Sequence, residues 1–224
     1  MSGADFQGPY GSAPTIDELV LGDEPECWAA LGFTVVEACC QLGRVCLRLA
    51  GRGAGRGIVC WSLRAIAGVE LDGLPTIRSE SPVPAPAPAH PNGALAIDHV
   101  VAMSPALERS VRALEAAGLD LRAIRERPTP AGAPRQAFFR LGAEILEVVQ
   151  EPDGAVERGD GPAGPARLWG LALIVEDLDR AVEGLGPHVG SIRPAVQPAR
   201  RIATLRRSAG LAIPVALMSR RDPA

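Results

Sequence analysis

The chain contains no lysine: apart from histidine, every cationic side chain among its 224 residues is arginine. With 25 glycines, 21 prolines and abundant alanine, this marks a GC-rich coding sequence, so a given arginine does not by itself signal an anion site. No apolar run is long enough to cross a bilayer. The start, Met1-Ser2-Gly3-Ala4-Asp5, lacks the basic residues and apolar stretch of a signal peptide. The formal net charge is −3, so no global field recruits nucleic acid or an anionic membrane. There is no basic–aromatic patch to read bases. Serine-nucleophile and dinucleotide-binding signatures are missing in usable context. The expectation is a cytoplasmic protein with no nucleic-acid or membrane partner. The five cysteines, Cys27, Cys39, Cys40, Cys46 and Cys60, form no C-x-x-C pair and no zinc-ribbon spacing. They are expected to be reduced, small and mostly buried, with Cys39 and Cys40 on opposite faces of a strand.

What is present is a repeat. Apolar residues make up 47% of the chain, enough for a real core. Ile97-Asp98-His99-Val100-Val101 echoes Ile16-Asp17-Glu18-Leu19-Val20, and more faintly Leu168-Trp169-Gly170-Leu171-Ala172. Each opens a strand, then a helix, then three strand-like runs, so the chain reads as three copies of one module. In the first, a strand at 16–21 leads to a helix at 24–31 with Asp23 as cap and Pro25 in its first turn. Strands at 34–40, 44–50 and 57–63 follow. Gly51-Arg52-Gly53-Ala54-Gly55-Arg56-Gly57 joins two strands and opens no helix, so it reads as a flexible hairpin rather than a phosphate loop. The proline-rich stretch 82–91 is a semi-rigid linker, with His90 exposed in it. The second module has its first strand at 96–103 and a helix capped by Ser104. Leu107, Val111 and Leu114 form that helix's apolar face, and Gly118 closes it. Its strands are 119–125, 135–141 and 144–150. The third has strand 168–175, helix 178–185 capped by Asp177, and strands 191–196, 201–207 and 211–218. The domains expected are 1–74, a linker at 75–94, and a paired-module domain at 95–224.

These modules resemble the βαβββ unit of the vicinal-oxygen-chelate superfamily, which includes glyoxalase I, extradiol dioxygenases and bleomycin-binding proteins. The resemblance rests on Ile97-Asp98-His99-Val100-Val101, Ile145-Leu146-Glu147-Val148-Val149 and Trp169-Gly170-Leu171-Ala172-Leu173-Ile174-Val175-Glu176-Asp177-Leu178. The last part, through Ala195-Val196-Gln197-Pro198 and Arg200-Arg201-Ile202-Ala203-Thr204-Leu205, is similar to glyoxalase-like proteins of high-GC bacteria. The fold implied is α+β: three βαβββ modules, two paired into a curved-sheet cup and one additional half-domain. The resemblance also implies divalent-metal ligands on the first and last strands of paired modules, which maps them onto His99 and Glu147. Strand alternation places Ile97, His99 and Val101 on one face, and Ile145, Glu147 and Val149 likewise. The third module has Gly170 and Val215 at the matching places, neither a ligand. The first module offers Glu18, and Cys60 by a less certain register. The second and third modules pairing in tandem is the simplest topology; pairing of the first with the second would gather Glu18, His99 and Glu147.

Three functions compete. In a metal-assisted isomerase, lyase or dioxygenase on a small oxygenated substrate, zinc, nickel, manganese or iron would be held weakly by His99, Glu147 and Glu18. In a metal-free binding protein, Trp169, Phe138, Phe139 and Trp61 would wall an apolar ligand, and Arg135, Arg200, Arg201 and Arg206 would receive an anionic group. His99 and Glu147 can also act without metal, Glu147 orienting the imidazole as general base. In the third reading the cup is vestigial, and the unpaired first module buries its open edge in a homodimer.

Overall fold

The computed structural model describes residues 13–87, 89–128, 132 and 135–220. Met1–Asp5, read above as lacking a leader, and Pro88 of the linker lie outside them.

The fold is α+β, built on two curved sheets. The larger unites the second and third modules. In the second, β6 (Ala94–Ser104) leads to α2 (Leu107–Ala116) and then β7 (Asp120–Arg125), β8 (Gln136–Leu141) and β9 (Glu144–Gln150). In the third, β10 (Arg167–Val175) leads to α4 (Leu178–Leu185) and then β11 (Arg193–Pro194), β12 (Arg201–Thr204) and β13 (Val215–Ser219). Within each module the first strand runs parallel to the last, β6 with β9 and β10 with β13. The two first strands pair antiparallel, giving one eight-stranded sheet in the order β11-β12-β13-β10-β6-β9-β8-β7. The tandem pairing of the second and third modules is therefore the one that forms.

Alternation sorts each strand between two faces. Ala137, Phe139, Leu141, Leu146 and Val148 are fully buried and share the core with Leu107, Val111 and Leu114 of α2. The opposite face carries Phe138, Ile145, Glu147 and Val149. Asp177 caps α4 as expected, accepting from Asp179 N at 3.0 Å and Arg180 N at 3.1 Å. Ser104 supports α2 from further back, accepting from Ala106 N at 3.0 Å. A short helix, α3 (Asp153–Arg158), lies in the crossing to the third module.

The first module differs from its sequence reading in an informative way. Its strands are β1 (Thr15–Leu21), β2 (Cys39–Leu42) and β3 (Val45–Leu49), with α1 (Pro25–Ala30) after β1. The hairpin Leu42-Gly43-Arg44-Val45 matches Leu141-Gly142-Ala143-Glu144 between β8 and β9, each with a glycine at positive φ as first turn residue. So β2 and β3 are the module's last two strands, and β3 pairs parallel with β1. The run expected as its third strand, β4 (Ile58–Arg64), instead pairs antiparallel along the other edge of β1. That is the place β10 takes beside β6. A fifth strand, β5 (Thr76–Ser79), pairs parallel with β4, from inside the stretch read as linker. The first module thus carries a shortened partner half of its own.

β4 thus covers the other edge of β1 within the chain, and the edge strands of the first sheet are β2 and β5. The first sheet also docks on the second within one chain. The Gly43 turn donates its N–H to Leu95 O at 2.8 Å, while a Cβ on Gly142 would meet the Thr15 methyl at 2.8 Å. Each hairpin turn therefore abuts the other sheet's first strand. The loop between β4 and β5 sends Asp72 to Arg109 and Ser110 of α2. Asp23, expected as a cap, is buried and accepts from Trp28 Nε1 at 3.1 Å and Ala212 N at 2.7 Å.

Two further expectations are corrected. Cys39 and Cys46 form a disulfide with Cα atoms 5.8 Å apart; Cys27, Cys40 and Cys60 are free. The two-residue turn makes positions 39 and 46 diagonal neighbours on one face, a register the longer strands read from sequence do not give. His90, expected to be exposed in the linker, is buried, and the linker is held to β2 where Gln41 Nε2 donates to Ala85 O at 2.7 Å. Thr34 N–H donates to His90 Nδ1 at 2.9 Å, and His90 Nε2 faces Gln41 O at 3.0 Å. Only the neutral Nε2–H tautomer satisfies both.

Burial lowers the His90 pKa, against a smaller opposite effect of the Gln41 carbonyl. Its folded value is therefore below the unfolded one of about 6.5. The unfolded chain binds the extra proton first on acidification, so this contribution is complete above about pH 6.5 and is lost below it. Urea midpoints measured between pH 7.5 and 5 should fall with pH. His90→Asn should flatten that fall; an unchanged slope would remove His90 as its source.

Candidate functional site

The site begins with an irregularity in β6. Ala172 of β10 faces His99 and Leu173 faces Ile97, so Asp98 has no partner of its own and forms a β-bulge. The bulge resets the alternation. Ile97 joins the helix-side core, contrary to the parity read from sequence, while Asp98 and His99 come to the same side. Asp98 Oδ2 lies 2.8 Å from His99 Nδ1, and Asp98 Oδ1 accepts from Arg200 Nη1 at 2.6 Å. Arg200 also donates to Ser219 O from Nε and Nη2, at 3.0 and 2.9 Å, and its side chain is 2% exposed.

The first sheet repeats this device. Ile16 faces Leu63 and Glu18 faces Ser62, leaving Asp17 as the bulged residue. Asp17 accepts from the buried Arg64 and from Ser79. The Ile-Asp echo in the sequence is therefore a bulge aspartate anchored by a buried arginine.

His99 Nε2 looks across to Glu147 Oε2 at 3.4 Å, and both side chains are about one-seventh exposed, at 14% each. That distance is beyond the usual N–H···O range, so Nε2 is not committed to Glu147. Gln136 Nε2 donates to Glu147 Oε1. Burial pushes the Glu147 carboxyl above the ordinary carboxylate range, partly offset by the nearby His99 and Arg125 charges and the Gln136 bond. Asp98 goes the other way. Burial alone would raise it, but hydrogen bonds and charge from His99 and Arg200 outweigh burial and hold it below its ordinary value. Asp98 is the fixed anion that receives Nδ1–H, and Glu147 is the carboxyl with spare proton affinity.

The remaining sequence candidates lie elsewhere. Glu18 sits in the first sheet and pairs with Arg48 at 2.8 Å. Register makes these two the counterparts of His99 and Glu147: Glu18 faces Cys46 and Val20 faces Arg48, as His99 faces Ile145 and Val101 faces Glu147. A guanidinium thus stands where the other sheet has a carboxylate. Phe139 and Trp61 are fully buried on the helix-side faces, so they do not wall the cup; Phe138 is on the Glu147 side, beneath Arg125. Arg135 is engaged by Glu108 and Glu126, and Arg201 by Asp179 of α4. Trp169 is the bulged residue of β10 and is exposed. Cys60 faces Val20 in the first sheet. In the third module, a Cβ on Gly170 would lie 2.7 Å from Pro214 O, so no side chain fits there. Val215 pairs with Leu171 in the core; the register opposite Glu147 belongs to Ala216, which pairs with Ala172. No group of three or more ligating side chains able to hold a metal forms among the described residues. Sequence reasoning missed Asp98 and Gln136 as parts of the site, although the repeated Ile-Asp pair was a visible signal for the first, and it read Arg200 as a receiver of an anionic ligand where the structure has it hold Asp98. A separate cleft of about 1000 Å³ lies between Gly32–Gly93 neighbours and α4, and contains neither His99 nor Glu147.

No protein-family model and no curated protein sequence matches the chain. Solved structures do. A xylose isomerase-like TIM barrel/4-hydroxyphenylpyruvate dioxygenase fusion protein superposes with a TM-score of 0.60 at 11% identity, over 96% of this chain and 50% of that one. Methylmalonyl-CoA epimerase from Mycobacterium tuberculosis superposes with a TM-score of 0.45 at 17% identity, over 57% of this chain and 88% of that one. A Streptomyces coelicolor methylmalonyl-CoA epimerase variant gives 0.44 at 18% identity, over 56% and 97%. The first covers both sheets. The chain has the vicinal-oxygen-chelate, or glyoxalase-like, fold.

Removing Arg200 leaves Asp98 with an uncompensated charge. Arg200→Met should lower unfolding free energy by about 3 kcal/mol. Combined with Asp98→Ala it should cost less than the sum of the two, because both act on one pair. Urea denaturation of the four proteins measures this; strict additivity would show the pair to be uncoupled.

Proposed function

We propose that the His99–Glu147 site is a metal-independent acid–base centre, serving isomerase- or lyase-type proton transfer on a small oxygenated substrate. The observation that carries this is the proton arrangement around His99. With Nδ1–H held by Asp98, the Nε2 lone pair faces a carboxyl whose proton affinity burial has raised. Such a pair shares one proton readily. His99 Nε2 takes a proton from a carbon next to a carbonyl, and the imidazolium that forms lies between two carboxylates, Asp98 and Glu147. Gln136 keeps the Glu147 carboxyl in place, and Phe138 supplies an apolar neighbour for the substrate.

Divalent-metal chemistry fits the residues poorly. His99 and Glu147 provide two donors, whereas sites that hold a metal and leave positions open for substrate use about three. Gly170 and Ala216 add none, and Glu18 is in the other sheet. This disfavours the dioxygenase reading in particular, whose metal would have to be firmly held. A cytoplasmic location is compatible with the absence, among the described residues, of any helix long and apolar enough to cross a membrane.

The test is exchange of carbon-bound hydrogen in heavy water, followed by NMR, on a panel of 2-hydroxy ketones, 2-keto acids and malonyl-type thioesters. Exchange should be catalysed on at least one class, and His99→Gln or Glu147→Gln should slow it about 10²–10⁴-fold. Zinc, nickel and manganese titrations should show no stoichiometric binding. Tight binding lost in both variants would replace this reading with a metal-dependent one. Saturable ligand binding without exchange, unaffected by either variant, would favour a binding protein.

A further inference from the structure

The open face of the first sheet carries chemistry that the His99–Glu147 site does not use. Cross-strand register places five side chains on it as a cluster. Cys39 faces Arg48, Cys46 faces Gln41, and Cys46 also lies beside Glu18 on the neighbouring strand. Cys39 and Cys46 are joined, and both are only half-buried. Their environments differ. Cys39 stands opposite a guanidinium, which stabilises a thiolate, and Cys46 stands beside a carboxylate, which opposes one. The hairpin does not need the bond for its shape, because β2 and β3 are paired along four registers, closed by a two-residue turn.

We propose that Cys39 and Cys46 are a redox-active pair that opens by exchange with a low-molecular-weight thiol, with Cys46 as the sulfur attacked and Cys39 as the leaving thiolate. In the first step the incoming thiolate bonds to Cys46 Sγ as the Cys39–Cys46 bond breaks, and the electron pair leaves on Cys39 Sγ beside Arg48. A second thiolate then attacks its own kind in the mixed disulfide, giving a free small-molecule disulfide and the Cys46 thiolate. Two small thiols are oxidised and one protein disulfide is reduced. The polarity follows from the leaving-group rule: the sulfur with the lower proton affinity departs faster. Two of the three free cysteines are kept out. Cys40 points into the core, where burial pushes its thiol up to about 12, and Cys60 is raised by burial and by Glu18.

The experiment uses the full chain in buffers of reduced and oxidised glutathione, trapped by isotopically distinct maleimides and mapped by mass spectrometry. Cys39 and Cys46 should change state together while Cys40 and Cys60 stay unchanged in folded protein, with tryptophan fluorescence as the folding control. In Cys39→Ser, glutathione should accumulate on Cys46. Arg48→Gln should slow opening by about threefold or more, and Glu18→Gln should not slow it. Resistance of the bond to excess dithiothreitol in folded protein would overturn the proposal. So would independent alkylation of both thiols after oxidation, or an opening rate indifferent to Arg48. If Cys39→Ser fails to fold, the Arg48→Gln rate in the intact pair decides.

Discussion

A bulge aspartate in the opening strand of each sheet governs this molecule. A bulge aspartate would be costly in the middle of a sheet if its charge were left alone. Here each is met by a buried arginine, Asp17 by Arg64 and Asp98 by Arg200. The bulge reverses strand parity, so the same strand can feed the core through Ile16 or Ile97 on one side of the insertion and present Glu18 or His99 on the other face beyond it. The arginines reach the bulges from distant positions: Arg64 comes from the strand beside β1, and Arg200 from the end of the loop before β12. Placing the reactive strand thus depends on assembling both halves of each sheet.

The same frame then carries different chemistry. In the first sheet the paired positions hold Glu18 and Arg48, two opposite charges that satisfy each other at 2.8 Å. In the second they hold His99 and Glu147 at 3.4 Å, neither of which can satisfy the other without a proton or cation. An ion pair at this position holds no proton to give and no lone pair free to take one. An imidazole with its far nitrogen fixed by an anion, facing a carboxyl of raised proton affinity, is poised to gain or lose a proton. The contrast within one chain supports function at the second site better than His99 alone would, since a satisfied core histidine has partners on both nitrogens at bonding distance, as His90 does.

The architecture was largely legible in the sequence because helical and strand periodicity repeat three times, and because glycine turns and the Asp177 cap mark element ends. His99 and Glu147 were legible as a converging pair. What failed has a common cause: register. The reading of 34–40 as a strand hid the short β2–β3 hairpin, and with it the Cys39–Cys46 pair and the role of β4 as a partner strand. Parity counting failed at Ile97 because a bulge leaves no mark on hydrophobic alternation. Phe139 and Phe138 illustrate the same limit, since adjacent aromatics in a strand are equivalent by composition and one-residue register decides which lines the cup. Arg200 could not be separated from Arg201 in a chain whose cations are all arginine; one is buried on Asp98, the other meets Asp179 on α4.

The shortened half that completes the first sheet has a consequence for how the two units meet. Between β4 and β5, where a full module would place a helix and two strands, the chain makes one compact loop instead. That loop turns outward to the second unit: Ala67 N bonds Ala117 O at 2.9 Å, and Ala166 N bonds Asp72 O at 2.8 Å. Asp72 adds Arg109 at 2.6 Å, and these contacts hold the start and end of α2 and the entry to β10. Without a helix and two strands there, β5 is the outer strand of the sheet, and the loop serves as an internal clamp. The helix so clamped packs on β7, β8 and β9, the strands that carry Phe138, Gln136 and Glu147. The truncated half of the first sheet therefore buttresses the strands behind the second sheet's site, which gives the unequal halves a structural reason to remain in one chain.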